Sequence, residues 1–311
     1  MRAVRNTPDG IAVVEVDPVD PGPDEVGVTV AAGSLCGSDL HLLTWGPSPF
    51  TVGHEVAGTL PDGTTVAVDP NRACGTCLHC TGGRPQLCTD NRILGVSVDG
   101  GLAETVVCDR RSVVPLPAGL APGDACLVEP LAVSIHGLAL ADATAGMRVA
   151  VVGGGSIGLT AVAAAVDLGC TVSLEARHPH QAAAGERLGA TGVTGGAFDL
   201  VVDAAGTQSS VDRSFDLVAP GGQVVMLSTA WDPITLPGLA AGMKEVTCRW
   251  SSMTGHHHGE RDLDRSAGLL ARRPEIAATL ITHRFPLTDA AEAFRVAADR
   301  GAGSIKVVVE P

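Results

Sequence analysis

The stretch VAVVGGGSIG, residues 149–158, decides the fold of this chain. Four apolar residues that predict a buried strand lead into glycines at a GxGxxG spacing, and an alanine-rich helical segment follows. This context indicates a dinucleotide site, because glycines let the backbone approach a pyrophosphate at the N-terminus of a helix. The residues that we expect to bind the cofactor here are Gly153, Gly155, Ser156, Ile157 and Gly158.

The segments after this turn repeat the alternation of strand and helix. TVSLEA, DLVVDAAG and QVVMLS predict strands, whereas TAVAAAVDLG and QAAAGERLGA predict helices. Such a βαβ series predicts a parallel, doubly wound sheet of the Rossmann type, in an α/β protein. We assign residues 131–252 to this dinucleotide-binding domain.

The remaining sequence has a different pattern. Up to about residue 118, short valine-rich segments such as IAVVEV and EVGVTV are broken by proline and glycine, which predicts an irregular antiparallel β domain. Near the C-terminus, DAAEAFRVAADR predicts a helix, and SIKVVVEP predicts a strand that returns to that domain. We therefore assign residues 1–130 and 253–311 to a second domain.

Composition narrows the possible partners. The formal net charge of −13 would repel nucleic acids and anionic membranes, so we expect neither as a partner and favour a small molecule. The N-terminal sequence MRAVRNTPDG has no apolar core followed by a cleavage site, so we expect a cytoplasmic protein. Clustered cysteines in that compartment indicate metal binding, because thiols are kept reduced there.

Four cysteines have the spacing Cys74-x2-Cys77-x2-Cys80-x7-Cys88. Four thiolates on one loop can close a tetrahedron around zinc and leave no open position. The spacing therefore predicts a structural zinc, whose binding energy contributes to folding because the loop has few apolar side chains of its own.

A second set of possible ligands precedes this loop, in CGSDLH at 36–41 and GHE at 53–55. Together with the four cysteines and the glycine turn, in this order, these motifs resemble the zinc-containing medium-chain dehydrogenase/reductase family. The resemblance covers nearly the whole chain. It implies a GroES-like irregular β-barrel catalytic domain with both zinc sites, two zinc ions per chain, and a homodimer or homotetramer.

The resemblance also implies the ligands of a catalytic zinc. By it, Cys36 and His54 bind the ion, and Asp39 holds the imidazole of His54 through its other nitrogen. The alcohol dehydrogenase branch of the family has cysteine as the third ligand.

The stretch of this chain that is equivalent to the third ligand of that branch has a different sequence. VEPLAV at 128–133 is similar to the sorbitol and threonine dehydrogenase branch, which implies Glu129 as the ligand. Glu55 is a further possible ligand that could exchange at the zinc, because a carboxylate beside the histidine can also reach the metal in that branch. Cys126 is a weaker rival, because a free cysteine is more often a small buried apolar residue.

The implied activity is hydride transfer between a nicotinamide cofactor and a secondary alcohol or polyol, or its ketone. Zinc lowers the pKa of a bound hydroxyl, which favours loss of hydride near neutral pH. Ser38 and His41 occupy the family's proton-relay positions, and Lys306 matches a basic position that contacts the pyrophosphate in relatives. The alternative is a catalytically silent sensor or binding protein of the same fold, which has no evident need for an open zinc site.

The choice between NAD and NADP stays open at the end of the second strand. Glu175, about twenty residues past the glycines, could accept hydrogen bonds from ribose hydroxyls and repel a 2′-phosphate. Counting back from LGA at 188–190, a helix end common in the family, gives a different alignment. It places Ala176 where an acidic residue would bind the ribose hydroxyls, with Arg177 and His178 directly after it. Because side chains alternate along a strand, Glu175 would then lie on the opposite face, so we slightly favour NADP(H).

Three consecutive histidines, His256, His257 and His258, stand in the polar segment TGHHHGE. Such a cluster could bind adventitious metal. No cysteine or acidic residue lies beside it at a zinc-ligand spacing, so we expect no functional site there.

Overall fold

The computed structural model describes residues 1–257, 259–299 and 301–311, so His258 lies outside the described residues. The chain forms two compact units, Met1–Glu129 with Leu263–Pro311 and Pro130–Asp262. Residues 253–262, which we assigned to the first domain, therefore group with the second unit. The reason is local bonding, since Asp262 exchanges hydrogen bonds with Gly255 and contacts His136. No helix in the described ranges is long and apolar enough to cross a membrane.

Short strands dominate the first part of the chain. Its elements are β1 (Arg2–Thr7), β2 (Gly10–Glu15), β3 (Glu25–Ser34), α1 (Gly37–Leu42), β4 (Glu55–Thr59), β5 (Thr65–Val68), β6 (Asn71–Arg72), α2 (Leu78–Thr81), β7 (Arg92–Ile93), β8 (Thr105–Asp109) and β9 (Val113–Pro115).

Strands and helices alternate through the middle of the chain. These elements are α3 (Val128–Leu140), β10 (Arg148–Val152), α4 (Ser156–Asp167), β11 (Thr171–Glu175), α5 (Pro179–Arg187), β12 (Thr191–Gly192), β13 (Phe198–Asp203), α6 (Gln208–Leu217), β14 (Val218–Met226), α7 (Gly238–Met243), β15 (Thr247–Trp250), β16 (His256–His257) and β17 (Glu260–Arg261).

The last part of the chain contains helices followed by strands of the first unit. Its elements are α8 (Asp262–Arg272), α9 (Glu275–Leu280), β18 (Ile281–Pro286), α10 (Ala290–Ala298) and β19 (Lys306–Glu310).

The main sheet of the first unit has the order β18-β19-β3-β4-β5-β9, with β8 also paired to β3. All of its pairs are antiparallel except β18 with β19. The alternation that predicted these strands places one set of valines inside, and Val28, Val56 and Val66 are at most 1% exposed. The C-terminal strand β19 pairs with β3, as the sequence predicts.

The sheet of the second unit is entirely parallel and has the order β12-β11-β10-β13-β14-β15. Counted from its first strand, this is the order 3-2-1-4-5-6 of a Rossmann fold, which confirms the predicted fold class. The strand order reverses between β10 and β13, and the glycine turn follows β10 at that point. Ligands of such sheets bind outside the carboxyl ends of the strands at this reversal.

The glycine turn has little room for side chains. Gly153 has φ of 109°, a conformation that other residues rarely adopt. A Cβ at Gly158 would overlap the carbonyl oxygen of Gly153, so α4 can pack against the turn only with glycine there. Around Gly155 a Cβ would meet nothing within 4 Å, and its φ of −73° suits any residue.

We predict that Gly158→Ala destabilises the protein by about 3 kcal/mol and weakens dinucleotide binding, because a backbone carbonyl cannot move aside. The matched control is Gly155→Ala, which costs less than about 1 kcal/mol, since it only replaces one N-cap residue with a poorer one. Urea unfolding and cofactor titration measure both effects. Equal stability of the two variants would contradict the packing argument.

Candidate active site

The four cysteines of the loop converge as their spacing predicts. Their sulfur atoms all lie within 4.8 Å of one another. Sγ of Cys80 is 3.5 Å from that of Cys77 and 3.9 Å from that of Cys74. A tetrahedral ion with Zn–S bonds of 2.3 Å requires sulfur separations of about 3.8 Å. The residues Cys74, Cys77, Cys80 and Cys88 therefore fit a closed four-thiolate zinc site.

The surroundings shift the pKa values of these thiols in opposite directions. Backbone N–H groups of Thr76 and Cys77 lower the pKa of Cys74 to about 6. Desolvation and the neighbouring Cys77 thiol raise the pKa of Cys80 to about 12. Four adjacent thiols oppose complete ionisation, and a cation at their centre would remove that opposition.

A second group of ligand atoms lies at the ends of two neighbouring strands. Ser34 of β3 is paired with Glu55 of β4, so Cys36, two residues past Ser34, and His54, just before Glu55, lie side by side. Ligand atoms of Cys36, His54 and Glu55 are within 4.8 Å of one another. A thiolate and an imidazole from two strand ends thus converge beside a carboxylate.

Asp39 lies beside His54, in the position that the family resemblance implies. Oδ1 of Asp39 is 3.2 Å from Nδ1 of His54 in a buried ion pair, although the two groups are not aligned as a hydrogen bond. The other Asp39 oxygen accepts from the backbone N–H of Cys36 at 2.9 Å and so holds the start of α1. Burial opposes protonation of His54, but Asp39 and Cys36 outweigh it and raise the pKa of His54 well above its usual value.

The two proposed relay residues lie on the same short helix. Oγ of Ser38 is 3.4 Å from Nε2 of His54, the ring nitrogen that faces away from Asp39. His41 follows one turn later in α1 and is half-buried.

Lys306 is occupied inside the first unit. Its side chain is 1% exposed, and Nζ donates to the Leu35 carbonyl and to both carboxylate oxygens of Glu55, at 2.7–3.1 Å. An ammonium group has three protons, and these contacts use all of them, so the predicted contact with a pyrophosphate requires Lys306 to give up one of these bonds. Lys306 instead neutralises Glu55, which also accepts a hydrogen bond from Ser34.

Glu129 is buried near this cluster but lies outside the group of atoms within 4.8 Å. Burial raises the pKa of Glu129 to about 7, against the opposite influence of His54. Burial makes the ionised form of this carboxyl group costly, and a bound cation would stabilise that form. Cys126 packs with Ala32 and Val308, and burial raises the pKa of its thiol to about 12.

The second unit presents the residues of the predicted cofactor site. A Cβ at Gly154 would lie 2.6 Å from Cβ of Ala176, so Ala176 is the residue at the end of β11 that faces the glycine turn. Glu175 instead pairs with Arg213, whose Nε lies 2.8 Å from Oε2. Oγ of Ser156 is buried without a hydrogen-bond partner among the described residues, which fits a turn that receives a polar ligand.

The residues after Ala176 are accessible. Arg177 is exposed, and His178 is the N-cap of α5. His178 stacks on His180 with ring centroids 5.6 Å apart.

Comparisons with known proteins agree with this arrangement. Residues 22–118 match the family described as the alcohol dehydrogenase GroES-like domain, and residues 175–309 match the family described as zinc-binding dehydrogenase. A zinc-binding dehydrogenase of Sinorhizobium meliloti 1021, solved with NADP, has a TM-score of 0.89 and 31% identity over 100% of this chain and 99% of its own. The chain belongs to the zinc-containing medium-chain dehydrogenase/reductase family.

Relatives of known activity are enzymes of the predicted branch. Galactitol 1-phosphate 5-dehydrogenase of Escherichia coli K12 is 29% identical over 100% of both chains. L-threonine 3-dehydrogenase of Bacillus velezensis is 29% identical over 87% of each chain. This family member is therefore a zinc-type oxidoreductase, which confirms the predicted class and its GroES-like and Rossmann folds.

Sequence reasoning missed three partners within this dehydrogenase site. Ser34 and Lys306 hold Glu55 from other strands, and Arg213 holds Glu175 from α6. Their sequence separations from these carboxylates are 21, 251 and 38 residues. No local spacing signals such pairs, because they depend on strand register and on the packing of α6.

We predict that Lys306→Met lowers the free energy of unfolding by about 3–5 kcal/mol, because it leaves the Glu55 charge buried without its cation. The double variant Lys306→Met with Glu55→Gln should recover part of this loss. The control is Arg110→Met, which removes an exposed cation of the same unit. Urea unfolding would contradict the argument if both cation variants were equally stable.

Proposed function

We propose that the first unit carries a catalytic zinc and a structural zinc, and that the second unit binds the nicotinamide cofactor. The observation that carries this proposal is the convergence of Cys36 and His54 at adjacent strand ends, with Asp39 behind the imidazole. The separate group of four thiols supports the second zinc. One site is closed by its four sulfurs, whereas the other leaves a position for a substrate oxygen.

Glu129 is the better candidate for the third protein ligand of the catalytic zinc. Both oxygens of Glu55 are held by Lys306, and Ser34 adds a further hydrogen bond. Among the described residues no cation forms an ion pair with Glu129, and burial outweighs the influence of His54 and Lys306 on its pKa, so a bound metal would offset its desolvation cost. We therefore propose Cys36, His54 and Glu129 as ligands, with Glu55 as a carboxylate that can exchange only by leaving Lys306.

The proposed substrate is a secondary alcohol or polyol, or the corresponding ketone. The similar enzymes act on L-threonine and galactitol 1-phosphate, both of which have secondary hydroxyls. When bound, zinc supplies Lewis acidity toward the substrate oxygen, and nicotinamide supplies the hydride acceptor or donor. Ser38 contacts the substrate side of His54 and would take up the hydroxyl proton, which His41 would pass on from the next turn of α1.

We also propose that the chain assembles as a homodimer or homotetramer. Large apolar side chains of the second unit are exposed at and near α7 and the edge strand β15. Leu239 is 84% exposed, Met243 79% and Trp250 53%, which favours a partner copy over water.

The function is tested by following cofactor absorbance with a panel of secondary alcohols, polyols and their ketones. Turnover of at least one pair, lost on removal of zinc, is the expected result. If the protein binds zinc and cofactor but turns over no pair of alcohol and ketone, the result would instead favour a catalytically silent sensor or binding protein.

We predict that the two zinc sites respond differently to substitution. His54→Ala and Glu129→Ala should abolish turnover and remove one zinc per chain while the unfolding midpoint changes little, because the open site contributes less to the fold. Cys77→Ser should remove the other zinc and lower the unfolding midpoint, because metal binding there supports folding. Elemental analysis and urea unfolding measure both.

The control for these variants is His79→Ala, which changes a histidine of the four-cysteine loop that lies off the ligand spacing. It should keep both zinc ions. Full activity of His54→Ala, or zinc loss from His79→Ala equal to that from Cys77→Ser, would refute the assignment of ligands.

We further propose a preference for NADP over NAD. Ala176 leaves space beside the glycine turn, Arg177 is exposed next to it, and Glu175 is engaged by Arg213. A guanidinium group can hold a 2′-phosphate through two parallel hydrogen bonds. The similar Sinorhizobium meliloti dehydrogenase was solved with NADP, which supports the same choice.

We predict that Arg177→Ala lowers kcat/KM for NADP roughly 10- to 100-fold and leaves that for NAD nearly unchanged, because only NADP has the 2′-phosphate. The control is Arg187→Ala, an exposed arginine at the end of α5. If the wild type prefers NAD, and Arg177→Ala leaves the ratio of kcat/KM for NADP to that for NAD unchanged, this proposal is refuted. Glu175 would then be the ribose-binding residue.

A further inference from the structure

A third group of metal-binding side chains lies in the second unit, away from both proposed zinc sites in sequence. His136 comes from α3, His257 from β16, and Asp262 from the first position of α8. Nδ1 of His136 is 2.9 Å from Oδ2 of Asp262 and 2.9 Å from Nε2 of His257. The remaining distance, from Nε2 of His257 to the same oxygen, is 3.8 Å.

Two-centre hydrogen bonds cannot satisfy both contacts of Nδ1 of His136 at once. A ring nitrogen either carries a proton or offers a lone pair, but not both. If Nδ1 of His136 carries the proton and donates it to Asp262, it has no lone pair for His257. If Nδ1 is bare, it accepts from His257 but faces the lone pairs of the carboxylate at 2.9 Å. A cation between the three atoms would accept a lone pair from each.

The carboxylate gives a second, independent indication. Asp262 is 0% exposed, and its Oδ1 has no hydrogen-bond partner among the described residues. Its Oδ2 accepts from the backbone N–H of Gly255 at 2.8 Å, which holds the group in place. A fully buried carboxylate requires a compensating charge.

The distances also fit a metal. Zinc bonds of 2.0–2.2 Å to nitrogen and oxygen place tetrahedral ligands about 3.3 Å apart, and the three separations here bracket that value. The imidazole rings are tilted by 46° with centroids 5.0 Å apart, so they do not stack face to face. We propose that His136, His257 and Asp262 bind a divalent first-row transition-metal ion, with solvent as the remaining ligand.

The position of this site indicates a structural role. The ion would join α3 to the hairpin of β16 and β17, across a sequence separation of 121 residues. His136 and Asp262 are buried, whereas the His257 side chain is 20% exposed, so the ion would enter on the His257 side. This proposal differs from the expectation of no functional site at the three consecutive histidines, because neither His136 nor Asp262 stands at a usual ligand spacing from His257.

Co²⁺ is a suitable probe, because coordination by nitrogen and oxygen gives weak visible bands without the intense charge-transfer bands of thiolates. The protein is produced in medium that supplies Co²⁺ in place of zinc, so that zinc does not fill the site first, and the bound cobalt is counted after dialysis. Wild type is compared with His257→Ala and His257→Gln, which remove the imidazole at the partly exposed corner. The matched control is His256→Ala, since His256 is exposed and adjacent.

The expected result is one more Co²⁺ per chain in wild type and His256→Ala than in either His257 variant. The added ion should also raise the unfolding midpoint of wild type but not of the His257 variants. Equal Co²⁺ in wild type and both His257 variants would overturn the proposal and leave a hydrogen-bonded cluster. An equal loss in His256→Ala would also overturn it, because it would indicate capture by surface histidines.

The test does not depend on turnover or on the number of zinc ions bound elsewhere. The measured quantity is a difference between variants that share the other two clusters. Failure of the proposed dehydrogenase activity would therefore leave this result unaffected, and failure of this site would leave that activity unaffected.

Discussion

The pairing of Ser34 with Glu55 between β3 and β4 is the constraint on which the candidate active site depends. It places Cys36 and His54 at adjacent strand ends, within ligand distance, although neither residue belongs to the sheet. Because side chains alternate along a strand, a shift of one residue would turn Glu55 away from Ser34 and Lys306. The register is therefore held by the same buried charges that lie behind the site.

Those charges explain how the protein keeps a polar site inside an apolar domain. Lys306 compensates Glu55, and Asp39 compensates His54. No ion pair holds Glu129 among the described residues, and burial raises its pKa to about 7 against the influence of His54 and Lys306. A divalent cation would stabilise a buried carboxylate that is compensated in this incomplete way.

The four-cysteine loop of the first unit and the glycine turn of the second unit differ in the chemistry that shapes them. The four-cysteine loop has few apolar side chains of its own, so the proposed zinc would take the place of a hydrophobic core there. The glycine turn needs no metal, because removing side chains brings the backbone of β10 and α4 close enough to approach a dinucleotide. The residues of the four-cysteine loop lie close together in the sequence, and so do those of the glycine turn. Each feature can therefore be recognised from the spacing of its residues.

The sequence by itself determined the features whose partners are near one another along the chain. The cysteine spacing predicted the four-thiol group, and the glycine turn with its alternating strands predicted the Rossmann sheet. The assignments of Cys36, His54 and Glu129 came from resemblance, and they remain proposals. Tertiary structure alone decided the pairing of Lys306 with Glu55, the engagement of Glu175 by Arg213, and the meeting of His136 with His257 and Asp262. These contacts depend on strand register and helix packing over long separations, and a buried charge takes whichever partner the fold brings to it.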